Sequence, residues 1–149
     1  MAHEHDWWTS PTESEDGRLI MVSGRRDIGR FRDNKRFCNR IEITWRYDGS
    51  PEAGMPDKPT AEMMEKVTDA LNTSFDKDPV AVMTGIFTGA GERNWVFYTL
   101  SNNIFGRKLN EALADLPLLP LTIYAELDSD WAAYDEMCDL AEIMPGDEC

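Results

Sequence analysis

Residues 80–100 read VAVMTGIFTGAGERNWVFYTL. Two β-branched and aromatic runs, Val80 to Thr88 and Arg93 to Leu100, flank the turn Gly89-Ala-Gly-Glu92. That arrangement predicts a hairpin. In the second run Trp95, Phe97 and Thr99 share one face, and Val96, Tyr98 and Leu100 share the other. Both faces are apolar, so this strand belongs near the centre of its sheet. If nothing covers its helix-free face, that face becomes an apolar partner surface.

Upstream of the hairpin, Met64, Val67, Thr68, Leu71 and Phe75 recur at helical spacing, which predicts an amphipathic helix over 61–76 with Thr60 as N-cap. Before it, Asp48 to Pro59 is rich in Gly and Pro and reads as a loop. Earlier still, Ile41, Ile43 and Trp45 alternate with Arg40, Glu42, Thr44 and Arg46, predicting a half-buried strand over 37–47. Downstream, Asn102 or Asn103 is expected to cap a second helix whose stripe is Ile104, Phe105, Leu109, Ala112, Leu113 and Leu116. Leu121, Ile123, Ala125 and Leu127 alternate with Thr122, Tyr124 and Glu126, which predicts another half-buried strand. A last helix over 129–144 is expected to start at Asp128 or Ser129.

The order over 37–128 is therefore β-α-β-β-α-β, the two-layer ferredoxin-like α+β plan. Trp7-Trp8 and Leu19 to Val22 are expected to form an N-terminal hairpin, with residues 1–17 its partly flexible first part, extending the antiparallel sheet. Residues 24–35 read as an exposed loop or an irregular strand end, and 25–36 as a basic loop. One domain over 1–149 is expected at this length. Helices should cover one sheet face, with the other partly open or covered by terminal segments.

Charge narrows the function classes. The 149 residues carry 15 Lys and Arg against 28 Asp and Glu, a net −13. Residues 18–46 are +6, while 1–17 are −5 and 47–149 are −14. The basic block is either neutralised by neighbouring acids or offers an anion-docking surface. Nucleic acid is disfavoured as a partner, because an acidic chain repels phosphate. No run approaches the ~18 apolar residues of a membrane helix. The segment Met-Ala-His-Glu-His-Asp-Trp-Trp lacks a signal-peptide core, so a cytoplasmic location is expected.

Chemical motifs are sparse. The two histidines are His3 and His5, which removes the usual base from Ser or Cys nucleophiles. Gly89-Ala-Gly91 precedes a strand rather than a helix and so is no dinucleotide turn. Counted from Asp128, the sixth and twelfth positions are Ala133 and Asp139, which breaks the calcium-loop pattern. Cys38, Cys138 and Cys149 have no zinc spacing, and Cys38 and Cys138 are expected to be reduced. Glu126 with Asp128 is a carboxylate pair of the kind that 28 acids produce by chance. The sequence thus offers no catalytic residues, metal ligands or cofactor.

Several segments resemble a known family: Ile41-Glu-Ile-Thr-Trp-Arg-Tyr47, Met55-Pro56, Gly91-Glu-Arg-Asn-Trp-Val-Phe-Tyr98, and Asp128-x-x-Trp131-x-x-Tyr134. Together they resemble the bacterial domain of unknown function 695 family, itself similar in plan to the ribonuclease E inhibitor (regulator B) proteins. The resemblance implies a ferredoxin-like fold in a small acidic cytoplasmic protein and brings no catalytic residues.

The leading expectation is a non-enzymatic binding or regulatory module. It would meet a protein partner through electrostatics or an apolar sheet face, with a dimer also allowed. The alternative is a site for an anionic small molecule, or an enzyme, between the basic loop and the aromatic sheet. Its residues would be Arg25, Arg26, Arg30 and Arg32 with Trp95, Tyr98, Trp131 and Tyr134, the arginines gripping the anion bidentately.

Overall fold

A computed structural model describes residues 7–47 and 54–141. The strands are β1 (Trp7–Glu13), β2 (Leu19–Arg25), β3 (Asn39–Arg46), β4 (Ala81–Gly89), β5 (Glu92–Thr99) and β6 (Leu121–Leu127). The helices are α1 (Gly29–Asp33), α2 (Lys58–Lys77), α3 (Asn102–Ala112) and α4 (Ala132–Cys138). All strand pairs are antiparallel. The sheet runs β1-β2-β4-β5-β3-β6. Its last four members follow the order of a ferredoxin-like core, and the β1–β2 hairpin extends that core at β4.

β5 is interior, as its two apolar faces require. On one face Trp95 and Phe97 pack with Ile41, Ile43 and Met83 under α2 and α3. The buried residues of α2 are Met64, Val67, Thr68, Leu71 and Phe75, the stripe read from the sequence. Phe75, Phe97 and Phe105 meet with ring centroids 5.0–5.3 Å apart. The Trp95 indole N–H donates to Thr68 Oγ1 at 2.8 Å, so this buried ring keeps its hydrogen bond.

The other face is not left bare. Val82 and Tyr98 pack against Trp131, Tyr134 and Met137 of the α4 segment, with Ile28 and Phe37 beside them. Of the two states expected for this face, partly open or covered by terminal segments, the structure has cover by a C-terminal segment: α4 lies over its β4–β5 part. Two glycines make this possible. Gly24 and Gly85 are opposed in the β2–β4 ladder. A Cβ on Gly24 would overlap the Trp8 indole, and one on Gly85 would overlap the Met137 sulfur.

Local differences have local causes. Asp57 caps α2 in place of Thr60, accepting from the Thr60 amide at 2.9 Å, and Pro59 is tolerated in the first turn because its missing N–H has no partner there. Ser101 caps α3 by accepting from the Ile104 amide at 3.3 Å. The basic loop contains one helical turn, α1. The final helix is shorter than 129–144, ending at Cys138; residues 142–144 lie outside the described residues, as do His3 and His5. Cys38 is a free thiol, whereas Cys138 is disulfide-bonded rather than reduced; an odd cysteine count leaves pairing unreadable from sequence. No helix among the described residues is long and apolar enough to cross a membrane.

The glycine row gives a stability test. Gly24→Ala forces a methyl group against a rigid indole and should cost about 1–3 kcal/mol in thermal melts. Gly29→Ala, where a methyl meets nothing, should stay within about 0.5 kcal/mol of the parent.

Candidate functional site

The Asp-x-x-Trp-x-x-Tyr element is a latch on the second sheet face. Tyr98 stacks on Trp131 with centroids 4.2 Å apart and planes at 19°. The Trp131 indole N–H donates to the Phe37 carbonyl at 2.7 Å. The Tyr134 hydroxyl donates to the Arg25 carbonyl at 2.6 Å, and so ties α4 to the end of β2. Asp128 accepts from the Tyr98 hydroxyl at 2.7 Å and from the Ala132 and Ala133 amides at 3.0 and 3.1 Å. The carboxylate thus caps α4 from outside the helix, and Trp131 turns the chain with a left-handed φ of 57°.

These contacts set the titration of the cluster. Burial, and then the Asp128 bond, push the Tyr98 hydroxyl far above its ordinary value. Burial pushes Tyr134 up to about 12. Burial opposes the charged form of Asp128, yet the bonds from Tyr98, Ala133 and Ala132 hold its carboxyl below the usual range. All three groups keep one protonation state near neutrality, which suits a structural latch better than proton transfer.

A hollow opens beside this latch. β2 pairs with β4 over Gly85 to Gly89, so residues 81–83 run on past the end of β2. Asp27 then turns the chain with φ 62°, and α1 follows. Between α1, the C-terminal half of α2 and the start of β4 lies a cavity of about 410 Å³. Arg25 lines it from the end of β2, Arg30 and Asn34 from the β2–β3 connection, and Asn72 and Asp76 from α2. Phe31, Phe37, Phe75, Val82 and Met83 supply its apolar walls. Arg30 also lies 4.6 Å over the Phe31 ring.

The structure thus brings together two of the four arginines read from the sequence. Arg32 is held by Asp135 of α4 through two bonds of 2.6 Å, and Arg26 does not line the cavity. The aromatic set divides. Tyr98, Trp131 and Tyr134 form the buried latch, while Trp95 is buried on the opposite face. Asn72 and Asp76 were not singled out in the sequence; their i, i+4 spacing puts them on one side of α2, the available signal.

A second, larger hollow of about 590 Å³ lies over the rest of the latch face, lined in part by Arg40, Glu42, Glu92 and Asn94. Here several charged side chains pair with one another, although the buried Arg40 Nε keeps no hydrogen-bond partner among the described residues. Arg40 pairs with Glu42 at 3.1 Å and Glu126 at 3.5 Å, and Arg46 pairs with Glu92 at 3.3 Å. Two members of the basic block, Arg40 and Arg46, are thus neutralised across strands. Among the described residues no group of three or more His, Cys, Asp or Glu side chains could hold a metal ion.

At the far end of the sheet, β6 is covered on neither face: after Leu121 every residue is exposed. The alternating pattern predicts a half-buried strand, and the structure leaves it exposed. The core under α2 and α3 is built on β3, β5 and β4 and takes from β6 only Leu121 at its start.

Residues 6–137 match the model of one protein family, described as "Family of unknown function (DUF695)". No curated protein and no solved structure matches the chain.

The latch yields a pH test. The folded Asp128 carboxyl titrates below its unfolded value of about 3.9. Its contribution is therefore complete above that pH and fades as the pH falls through the lower, folded value. Asp128→Ala should cost about 1–3 kcal/mol at pH 7. In denaturant melts across pH, the gap between parent and variant should narrow below about pH 4.

Proposed function

The chain belongs to the Family of unknown function (DUF695), and on that premise we propose that it is a binding module whose α1–α2–β4 cavity takes a small anion with an apolar body. The observation that carries this reading is the joint presence of Arg25 and Arg30 on a cavity whose apolar walls include three phenylalanines and Met83, with Asn34, Asn72 and Asp76 completing the polar part of the lining. Its 410 Å³ falls within the usual range of roughly 300–1,000 Å³ for small-molecule sites.

Charge and shape narrow the ligand class. Arginine offers a planar fork of donors that matches a carboxylate or phosphate. Two arginines against Asp76 leave one positive charge on the lining. That balance suits a ligand of one or two negative charges, and the net charge of −13 disfavours polyanions. Phe31, Phe37 and Phe75 favour an aromatic or branched aliphatic body. The latch supports the site from behind, since Tyr134 holds the Arg25 carbonyl and Trp131 holds that of Phe37. No nucleophile or base is needed for such a role, so the module is read as non-enzymatic. A protein contact has separate support in the exposed β6 edge.

Calorimetric titration with phenylacetate, phenyl phosphate and benzyl alcohol tests the proposal. The two anions should bind and the alcohol should not. Arg30→Gln should weaken the anions about 10-fold or more, as expected for one charge-assisted bond. Arg36→Gln, outside the cavity lining, should leave them unchanged. Absence of anion binding, or binding indifferent to Arg30→Gln, would overturn the assignment.

A further inference from the structure

We propose that two copies of this chain pair antiparallel through β6, joining their sheets into one. The inference is independent of the cavity, which lies toward the other end of the sheet. β6 closes the sheet and hydrogen-bonds with β3 alone. Ile123 is 53% exposed, Tyr124 58% and Leu127 72%, with Leu118 fully exposed nearby. Edge strands are normally blunted by Lys, Pro or a bulge. β6, LTIYAEL, has neither residue, and its pairing with β3 runs without a shift. The opposite edge, β1, carries Pro11.

The backbone geometry says which groups are open. The Asp128 amide donates to the Cys38 carbonyl. Antiparallel ladders alternate, so Glu126, Tyr124 and Thr122 also turn their amides and carbonyls toward β3. Ile123, Ala125 and Leu127 therefore turn theirs away from the sheet. The Leu121 amide is already used, donating to Leu119 at 2.8 Å.

A second copy fits this edge because the strand is complementary to itself. A two-fold axis at Tyr124 is the one centre that pairs all seven residues. It sets Ile123 against Ala125, whose open amides and carbonyls meet, and Leu121 against Leu127, where the Leu127 amide meets the Leu121 carbonyl. Their side chains form one apolar row continuous with Ile43 and Trp95, which share a rung with Ile123. On the opposite face Tyr124 meets Tyr124, and Thr122 meets Glu126. Glu126 is the strand's one charge, and it is paired with Arg40 at 3.5 Å. No like charges face each other, so the net −13 is kept away from the seam. Such an interface is isologous, the closed form expected of a two-fold dimer. A basic segment from another protein would find one acid along the whole strand to recognise it.

Sedimentation equilibrium of the full chain from about 1 to 200 μM, with amide hydrogen exchange, tests this. The expected result is a dimer in which the Ile123, Ala125 and Leu127 amides are protected. Ala125→Pro removes an outward donor without touching the β3 ladder. It should raise the dimer dissociation constant about 30-fold or more and leave the melting temperature of the isolated chain within a few degrees. Ile123→Lys, which puts a charge in the apolar row, should do the same. A parent that stays monomeric at 200 μM, or a dimer indifferent to both variants, overturns the proposal. A monomeric parent whose β6 amides gain protection from an alternating Lys-Val peptide overturns it in favour of a basic strand partner.

Discussion

A strand that is apolar on both faces has to be covered twice. β5 imposes that requirement, and the architecture is largely its consequence. Trp95 and Phe97 demand one layer, which α2 and α3 supply. Val96 and Tyr98 demand another, and α4 supplies the part over Tyr98. Burying one large aromatic is worth roughly 2–3 kcal/mol, a substantial share of the roughly 5–15 kcal/mol by which a domain is stable. Leaving either face open would forfeit several such contributions.

The second layer is small, and it is held by geometry as well as area. α4 has seven residues, too few to be stable alone. It persists because Asp128 caps it, Trp131 lies flat on Tyr98, and Tyr134 reaches the carbonyl of Arg25. The glycines at positions 24 and 85 let Trp8 and Met137 approach the sheet backbone. The cavity follows from the same construction. β2 stops short of the start of β4, and the segment after β2 must reach across to meet α4. The gap between that segment and α2 is where Arg25 and Arg30 lie.

Charge is distributed in keeping with this plan. Arg32, Arg40 and Arg46 meet Asp135, Glu126 and Glu92, partners far away in the chain. The more exposed of these, Arg32–Asp135 and Arg46–Glu92, contribute about 0–1 kcal/mol each. Their main effect is to offset a basic block against an acidic remainder. Arg25 and Arg30 line the hollow together with Asp76, and β6 is nearly uncharged at the sheet end.

The strands from Asn39 onward, the buried stripe of α2, the central place of β5 and the added N-terminal hairpin were legible in the sequence. Each is written in a local period, 2.0 for strands and 3.6 for helices. The Asp128-Trp131-Tyr134 spacing was visible too, but its partners were not, because Tyr98, Phe37 and Arg25 are distant in the chain. β6 shows the limit most clearly. Its alternation states that two faces differ, and says nothing of whether anything lies over either one. The same holds for the basic block, where nine like residues differ only in which acids or cavities the chain brings beside them. Periodicity is a property of neighbours along the backbone, whereas cover, pairing and enclosure depend on segments that meet only when the sheet is complete.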